Sequence, residues 1–372
     1  MFRGKVMSAK IYSDTKLRIL MIGPLPPPIG GISVSFKILM DLLQRRDDVD
    51  IKVVDFNAIR RRKGNSLRGL LSLCIAVTTA ARHADVVTVY TASTALPSLG
   101  LLLLIVSRVL SKPLVVRKAA GFDYLDLGFF KGRIAHFVVT HADLYLAQTK
   151  NLVRLALARG VAQVKWYPTS RPMGCNEEFP LLEGVYCRRF VYVGQVREHK
   201  GIREIIMAAE RFDDRVSVDI YGPLFDDLKK DIFEGCKRVK YCGALSPDDV
   251  RSTLHRYDMN LLPTKAISEG YPGAILEGYS AGLPIITTKC GGITEIVDES
   301  SGLFVVPGNA DSLFDAMKIV VENDEIYRNL RQGVYRKCKE FDSATWADRF
   351  VEYCGQVVSM RGWTGNYGQS AS

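Results

Sequence analysis

Residues 16–44 read KLRILMIGPLPPPIGGISVSFKILMDLLQ. Residues 16–23 are an apolar run closed by Gly23 and Pro24, the pattern of a buried strand. Residues 24–31 are a loop rich in Pro that ends on Gly30 and Gly31. Val34, Ile38, Leu39 and Leu42 then recur at helical spacing. The chain therefore opens strand, glycine loop, helix. The alternation continues with strand-like runs at 51–56, 84–90, 113–117 and 142–148, most of them separated by helical stretches. Buried strands alternating with helices predict a parallel sheet with right-handed crossovers.

The pattern lapses at 166–184, WYPTSRPMGCNEEFPLLEG, where three prolines and the first glutamates of the chain predict a linker. It restarts with strands at 189–194, 217–221, 239–242, 259–262, 284–287 and 302–306. Helices are predicted at 201–210, 249–257, 274–281, 311–323, 325–340 and 343–360. The fold class is α/β, with two Rossmann-like doubly wound domains, 1–170 and 171–372. Such domains take ligands at the carboxyl ends of their strands, so two of them face to face enclose a central cleft. The last helix, 343–360, is expected to pack back on the first domain. Residues 1–15 carry no strong pattern and are expected to be flexible; residues 362–372 read as a polar tail.

Charge divides at the same place. Residues 1–170 carry 25 Lys and Arg against 10 Asp and no Glu, a balance of +15, whereas residues 171–372 carry 25 against 30, or −5. With 47% hydrophobic and 24% charged residues the chain is neither disordered nor fibrous. Its eight Cys are scattered and form no CxxC pair, so neither a zinc framework nor a disulfide scaffold is suggested. Charged residues before the first apolar run argue against a signal peptide and for a reducing cytoplasm. Residues 70–81 and 99–110 are apolar but short of the roughly 20 residues that span a bilayer. They read as buried helices or as a surface lying on a membrane. The adjacent cluster Arg60, Arg61, Arg62, Lys63 and Arg68 suits an anionic leaflet, although a solvated loop before a core helix would look the same. Nucleic acid is the rival explanation for the charge, but no motif or basic aromatic platform supports it.

Chemistry concentrates in residues 268–288, SEGYPGAILEGYSAGLPIITT. Glu269 lies in a Gly- and Pro-rich turn, and Glu277 falls about one turn inside the following helix. The first backbone amides, those of Gly273, Ala274 and Ile275, then face the loop, where they and the helix dipole can hold phosphate. Glu277 can reach ribose hydroxyls beyond the phosphate, and Glu269 a sugar on its other side. A capped surface helix with acidic residues near its start is the bland alternative.

This segment resembles the E-x7-E signature of retaining GT-B glycosyltransferases, family four. Residues 191–201 (VYVGQVREHKG), 221–223 (YGP), 241–245 (YCGAL), 257–264 (YDMNLLPT), 291–297 (GGITEIV), 302–308 (GLFVVPG) and 23–33 (GPLPPPIGGIS) resemble further family segments in the expected order. The resemblance spans roughly 17–355 and is most specific in the second half. It implies a nucleotide diphosphate sugar donor and no metal or other cofactor. Glu269 and Lys200 become the catalytic candidates, Lys200 stabilising the leaving diphosphate. Donor-binding candidates are Glu277, Gly273, Ala274, Ile275, Gly194, Gly243, Gly30 and Gly31. The family's Arg after the first of these strand ends is Gln195 here, and Arg197 is the expected substitute. The family's His near the reacting sugar is missing from residues 117–123 (RKAAGFD), a region that resembles a polysaccharide-building branch with Arg-Lys and Gly there. The acceptor is expected on the basic first domain, as a polyprenyl-diphosphate-linked or other glycan. The expected setting is surface polysaccharide assembly, on the cytoplasmic face of the cell membrane and against its anionic surface. The alternatives are a GT-B epimerase of nucleotide sugars and a non-catalytic subunit that binds them.

Overall fold

Apolar runs of a few residues with few polar breaks suit strands covered on both faces. In the computed structural model, which describes residues 16–63, 67–119, 121, 123–173 and 186–361, twelve such runs make two six-stranded sheets, each parallel throughout. The first sheet has the order β2-β1-β3-β4-β5-β6, with β1 Leu17–Gly23, β2 Val49–Asp55, β3 Val86–Thr91, β4 Leu114–Lys118, β5 Leu144–Ala147 and β6 Val164–Trp166. The second has the order β12-β11-β10-β7-β8-β9, with β7 Arg189–Val193, β8 Ser217–Tyr221, β9 Val239–Gly243, β10 Met259–Leu262, β11 Ile285–Thr288 and β12 Gly302–Val305. The chain thus has the doubly wound α/β architecture in duplicate, the GT-B arrangement.

The first domain is covered on one face by α1 (Gly31–Gln44), whose Phe36, Leu39 and Leu43 pack on Ile19, Met21 and Val115. The other face carries α3 (Leu67–Ala81), α4 (Leu101–Val109) and α5 (Phe129–His141), seated on Leu20, Ile22, Val87 and Val116. Helix α2 (Phe56–Lys63) follows β2, and α6 (Lys150–Ala158) follows β5. The apolar run at 99–110 is not one helix. It begins as a π-turn, Leu96–Gly100, with Pro97 in its first turn, and only then becomes α4. In the second domain α7 (Ile202–Ala209), α8 (Val250–Leu254), α9 (Gly273–Ser280), α10 (Ala310–Glu322) and α11 (Asp324–Cys338) surround the sheet. The last helix, α12 (Ser343–Met360), sends Trp346, Phe350, Val351 and Cys354 into the core of the first domain, beside α1.

The chain crosses between domains twice, and the crossings pair. Arg171 donates its amide to Phe341 at 3.1 Å, and Ser343 donates back to the Arg171 carbonyl at 2.9 Å. The linker segment 174–184, residues 1–15 and 362–372, and the side chains of Arg60 and Lys63 lie outside the described residues.

Candidate active site

A cavity of about 720 Å³ opens between the two sheets at the carboxyl ends of their strands. The first domain lines it with Gly30 and Gly31 at the start of α1, with Ala119 and Gly121 after β4, and with Gln148 after β5. The second contributes Gly194 and Gln195 after β7, Lys200, and the turn and helix start from Ser268 to Glu277. The two walls meet closely: a Cβ at Gly121 would overlap the Gly270 amide, so only glycine allows this approach. Space beside Gly30 and Gly31 is open, so a ligand can approach their backbone.

Lys200 closes the short turn Glu198–Lys200 that follows β7. The next residue, Gly201, has φ +83°, and a Cβ there would run into the Pro263 carbonyl. This turn aims the ammonium at Glu269, and the two form an ion pair with side-chain exposures of 17% and 13%. Thr264 Oγ1 lies 3.4 Å from the same carboxylate. The catalytic candidates therefore meet at one point of the cleft wall, a cation where charge on a leaving group can be met and a carboxylate that can accept from sugar hydroxyls.

Helix α9 starts after Pro272, and Asn260 of β10 holds it by donating to the Ala274 carbonyl at 2.9 Å. The amides of Gly273 and Ala274 have no acceptor among the described residues, and both residues line the cavity. Ile275 departs from the sequence expectation. Its amide donates to Pro272 at 3.2 Å, and its side chain is fully buried in the second core, because the first helical turn tightens on Pro272. Glu277 is in the cleft, but it is not alone there. Arg171 Nε donates to its Oε1 at 2.9 Å, while Arg171 Nη1 donates to Ser35 Oγ at 2.9 Å and to the Ser170 carbonyl at 3.0 Å.

Two further candidates lie off the cavity wall. The Arg197 guanidinium sits 3.8 Å from the Phe225 ring centroid. Gln195 lines the cavity, whereas Arg197 does not. Gly243 accepts the Gly222 amide at 2.8 Å at the end of β9, and Leu245 lines the cavity instead. Sequence reasoning missed Arg171, Ser35, Gln148 and Thr169, all on the wall. No local signal marks them; Arg171 lies in a segment that reads only as linker. Next to the wall, Lys118 is fully buried at the end of β4, and burial pushes its ammonium down to about 7 against the pull of Asp123. Burial also lowers the His199 imidazole, whose neighbour Lys200 acts in the same direction. Among the described residues, no three His, Cys, Asp or Glu side chains are grouped to hold a metal ion.

Residues 187–323, from β7 to the end of α10 in the second domain, match the family described as Glycosyl transferases group 1. The second domain is thus similar to this family. Among its relatives, an uncharacterised glycosyltransferase of Methanocaldococcus jannaschii is 26% identical over 170 residues, 45% of this chain and 48% of that protein. The O-antigen chain mannosyltransferase C of Escherichia coli is 26% identical over 158 residues, 42% of this chain and 43% of that protein. The alignments thus span less than half of either relative. The GT-B fold extends over both domains. The Anabaena protein HepE in complex with UDP superposes with a TM-score of 0.73 at 18% identity, covering 91% of this chain and all of that one. A structure of HepE with UDP-glucose gives 0.69 at 18% identity, with the same coverage.

Proposed function

We propose that this chain is a retaining glycosyltransferase of the group 1 family. It moves a sugar from a nucleotide diphosphate sugar to a lipid-linked saccharide or another carbohydrate acceptor in surface polysaccharide assembly. The observation that carries the reading is the convergence of Lys200, Glu269, Glu277 and the free amides of α9 on one cleft between two doubly wound domains. In this reading the diphosphate lies on the Gly273 and Ala274 amides, where the dipole of α9 favours negative charge. Glu277 accepts from ribose hydroxyls through the oxygen that Arg171 leaves free. Lys200 exchanges Glu269 for the diphosphate as the sugar bond breaks, and Glu269 is released to hold the sugar. The HepE complexes with UDP and UDP-glucose, and the O-antigen relative, support the donor and the setting.

A thermal-shift screen with UDP- and GDP-sugars identifies the donor, because a bound ligand raises the melting temperature. With that donor, Glu269→Gln is expected to lower turnover on the order of 100-fold while the protein still binds nucleotide. Unchanged transfer would remove Glu269 from the site. Nucleotide-sugar binding by the wild type without turnover on any acceptor would point to a non-catalytic subunit, and epimerised donor to an isomerase. Metal independence belongs to the same proposal: EDTA should leave the rate unchanged, since amides, dipole and Lys200 neutralise the leaving group. No helix among the described residues is long and apolar enough to cross a membrane. We place the protein peripherally, on the cytoplasmic face of the membrane that carries the acceptor.

A further inference from the structure

Helices α3, α4 and α5 form one layer. All three pack inward on the same face of the first sheet, and α4 touches both of the others. Their outward sides carry large apolar side chains with Arg among them. On α3 the exposed residues Arg68, Leu71, Ile75 and Thr79, and Arg82 just past its end, fall at helical spacing on one stripe. On α4 the stripe is Ile105, Arg108 and Val109, and on α5 it is Phe130, Ile134 and Phe137. Phe130 and Val109 are the most exposed, at 79% and 76%, and Phe129, at 71%, meets Phe130 edge to face. A soluble surface rarely leaves so many large apolar side chains side by side.

The charge around this face selects its partner. Arg68, Arg82, Arg108, Lys131 and Arg133 are exposed on or beside the three helices, and residues 56–141 contain only three Asp. Two of those are engaged, Asp85 with Arg18 and Asp123 with Arg159, each at 2.6 Å. Asp126 is left as the exposed carboxylate among the described residues of this stretch. Exposed Lys131 and Arg133 flank the two phenylalanines, and the Arg133 guanidinium lies 5.3 Å from the Phe129 ring centroid. Aromatic and aliphatic side chains ringed by cations match the edge of an anionic bilayer. A second copy of the same face would set cation against cation.

We propose that the α3–α4–α5 layer docks on an anionic lipid bilayer, with Phe129 and Phe130 entering the acyl boundary. The inference rests on the peripheral placement above and names the surface responsible. Gly121, on the cleft wall, and Phe129 belong to one loop-to-helix segment, so a lipid-linked acceptor would arrive beside the cleft.

The test is co-sedimentation of the full chain, without donor, with vesicles of equal parts phosphatidylglycerol and phosphatidylcholine, and with phosphatidylcholine alone. Binding is expected to the mixed vesicles, to fall with added salt, and to be weak on phosphatidylcholine. Phe129→Ser combined with Phe130→Ser should weaken it at least about tenfold. The two side chains are exposed, so the melting temperature should not move. Ile105→Ser with Val109→Ser provides a second, independent pair on the same face. The proposal is overturned if the wild type stays in the supernatant at low salt, or if neither pair alters binding. It also falls if the face instead drives concentration-dependent dimerisation that the Phe129 and Phe130 changes abolish. Because no donor is present, vesicle binding can fail while sugar transfer succeeds, and the reverse, so the two readings are judged separately.

Discussion

Arg171 bonds Glu277 of the second domain through Nε and Ser35 of the first through Nη1. Its side chain is only 4% exposed. A buried cation of this kind is costly to desolvate and persists because its partners are in place. Arg171→Met should therefore strand the Glu277 carboxylate and cost about 3 kcal/mol in urea unfolding. Adding Glu277→Gln should recover part of that loss; strictly additive losses would mean that the pair is not coupled. Glu277→Ala should also raise the donor dissociation constant, by about tenfold for one charged hydrogen bond lost. An unchanged constant would refute the ribose role. Glu269, Glu277 and the amides between them were legible because one segment carries them all. Arg171 was not, since its partner Glu277 lies 106 positions further along the chain. Nothing in PTSRP indicates that its Arg will stand between two domains.

Strand, turn and helix starts present the site, and one glycine shows how. Gly201 ends the turn that carries Lys200 with φ +83° and nearly touches the Pro263 carbonyl. Gly201→Ala should cost at least about 1 kcal/mol from the left-handed backbone alone, and the steric push should move Lys200 away from Glu269. Turnover should fall more than donor affinity, because the charge that Lys200 meets grows in the transition state. Equal falls in both would assign Lys200 to ground-state binding. At this scale the sequence was readable where its period was regular. The strand, glycine loop and helix at 16–44 appear as β1 and α1 with little shift. Reading was poorest where a period stops. Arg197 was expected on the side of Gln195, but its guanidinium stacks on Phe225, well further along the chain, and leaves the cavity wall. Ile275 likewise gave up its amide to a tightened first turn at Pro272.

Across the whole molecule, the two domains are tied by more than the linker. Glu295 of the second domain accepts the amides of Lys150 at 2.6 Å and Asn151 at 3.0 Å, capping α6 of the first. Trp166 at the end of the first sheet donates to Tyr271 in the second domain at 3.2 Å. Helix α12 follows the second domain in the chain but belongs to the first core, where Trp346 packs edge to face on Tyr167. Trp346→Ala should lower stability by about 3–5 kcal/mol, as large aromatic truncations in cores do. The loss should appear as faster amide exchange in β3 and α1, the elements α12 packs against; protection lost only in the second domain would contradict this packing. The sequence alone determined the alternation of strands and helices, the two-domain α/β class, the charge step between the halves and the acidic segment after β10. Each is a local pattern, and local periodicity is set by neighbours in the chain. Tertiary structure alone decided that Lys200 pairs with Glu269, that Arg171 holds Glu277, that Arg197 turns away, and that three separate helices present one apolar face. These depend on which distant segments the packing brings within a few ångströms, and no spacing along the chain records that.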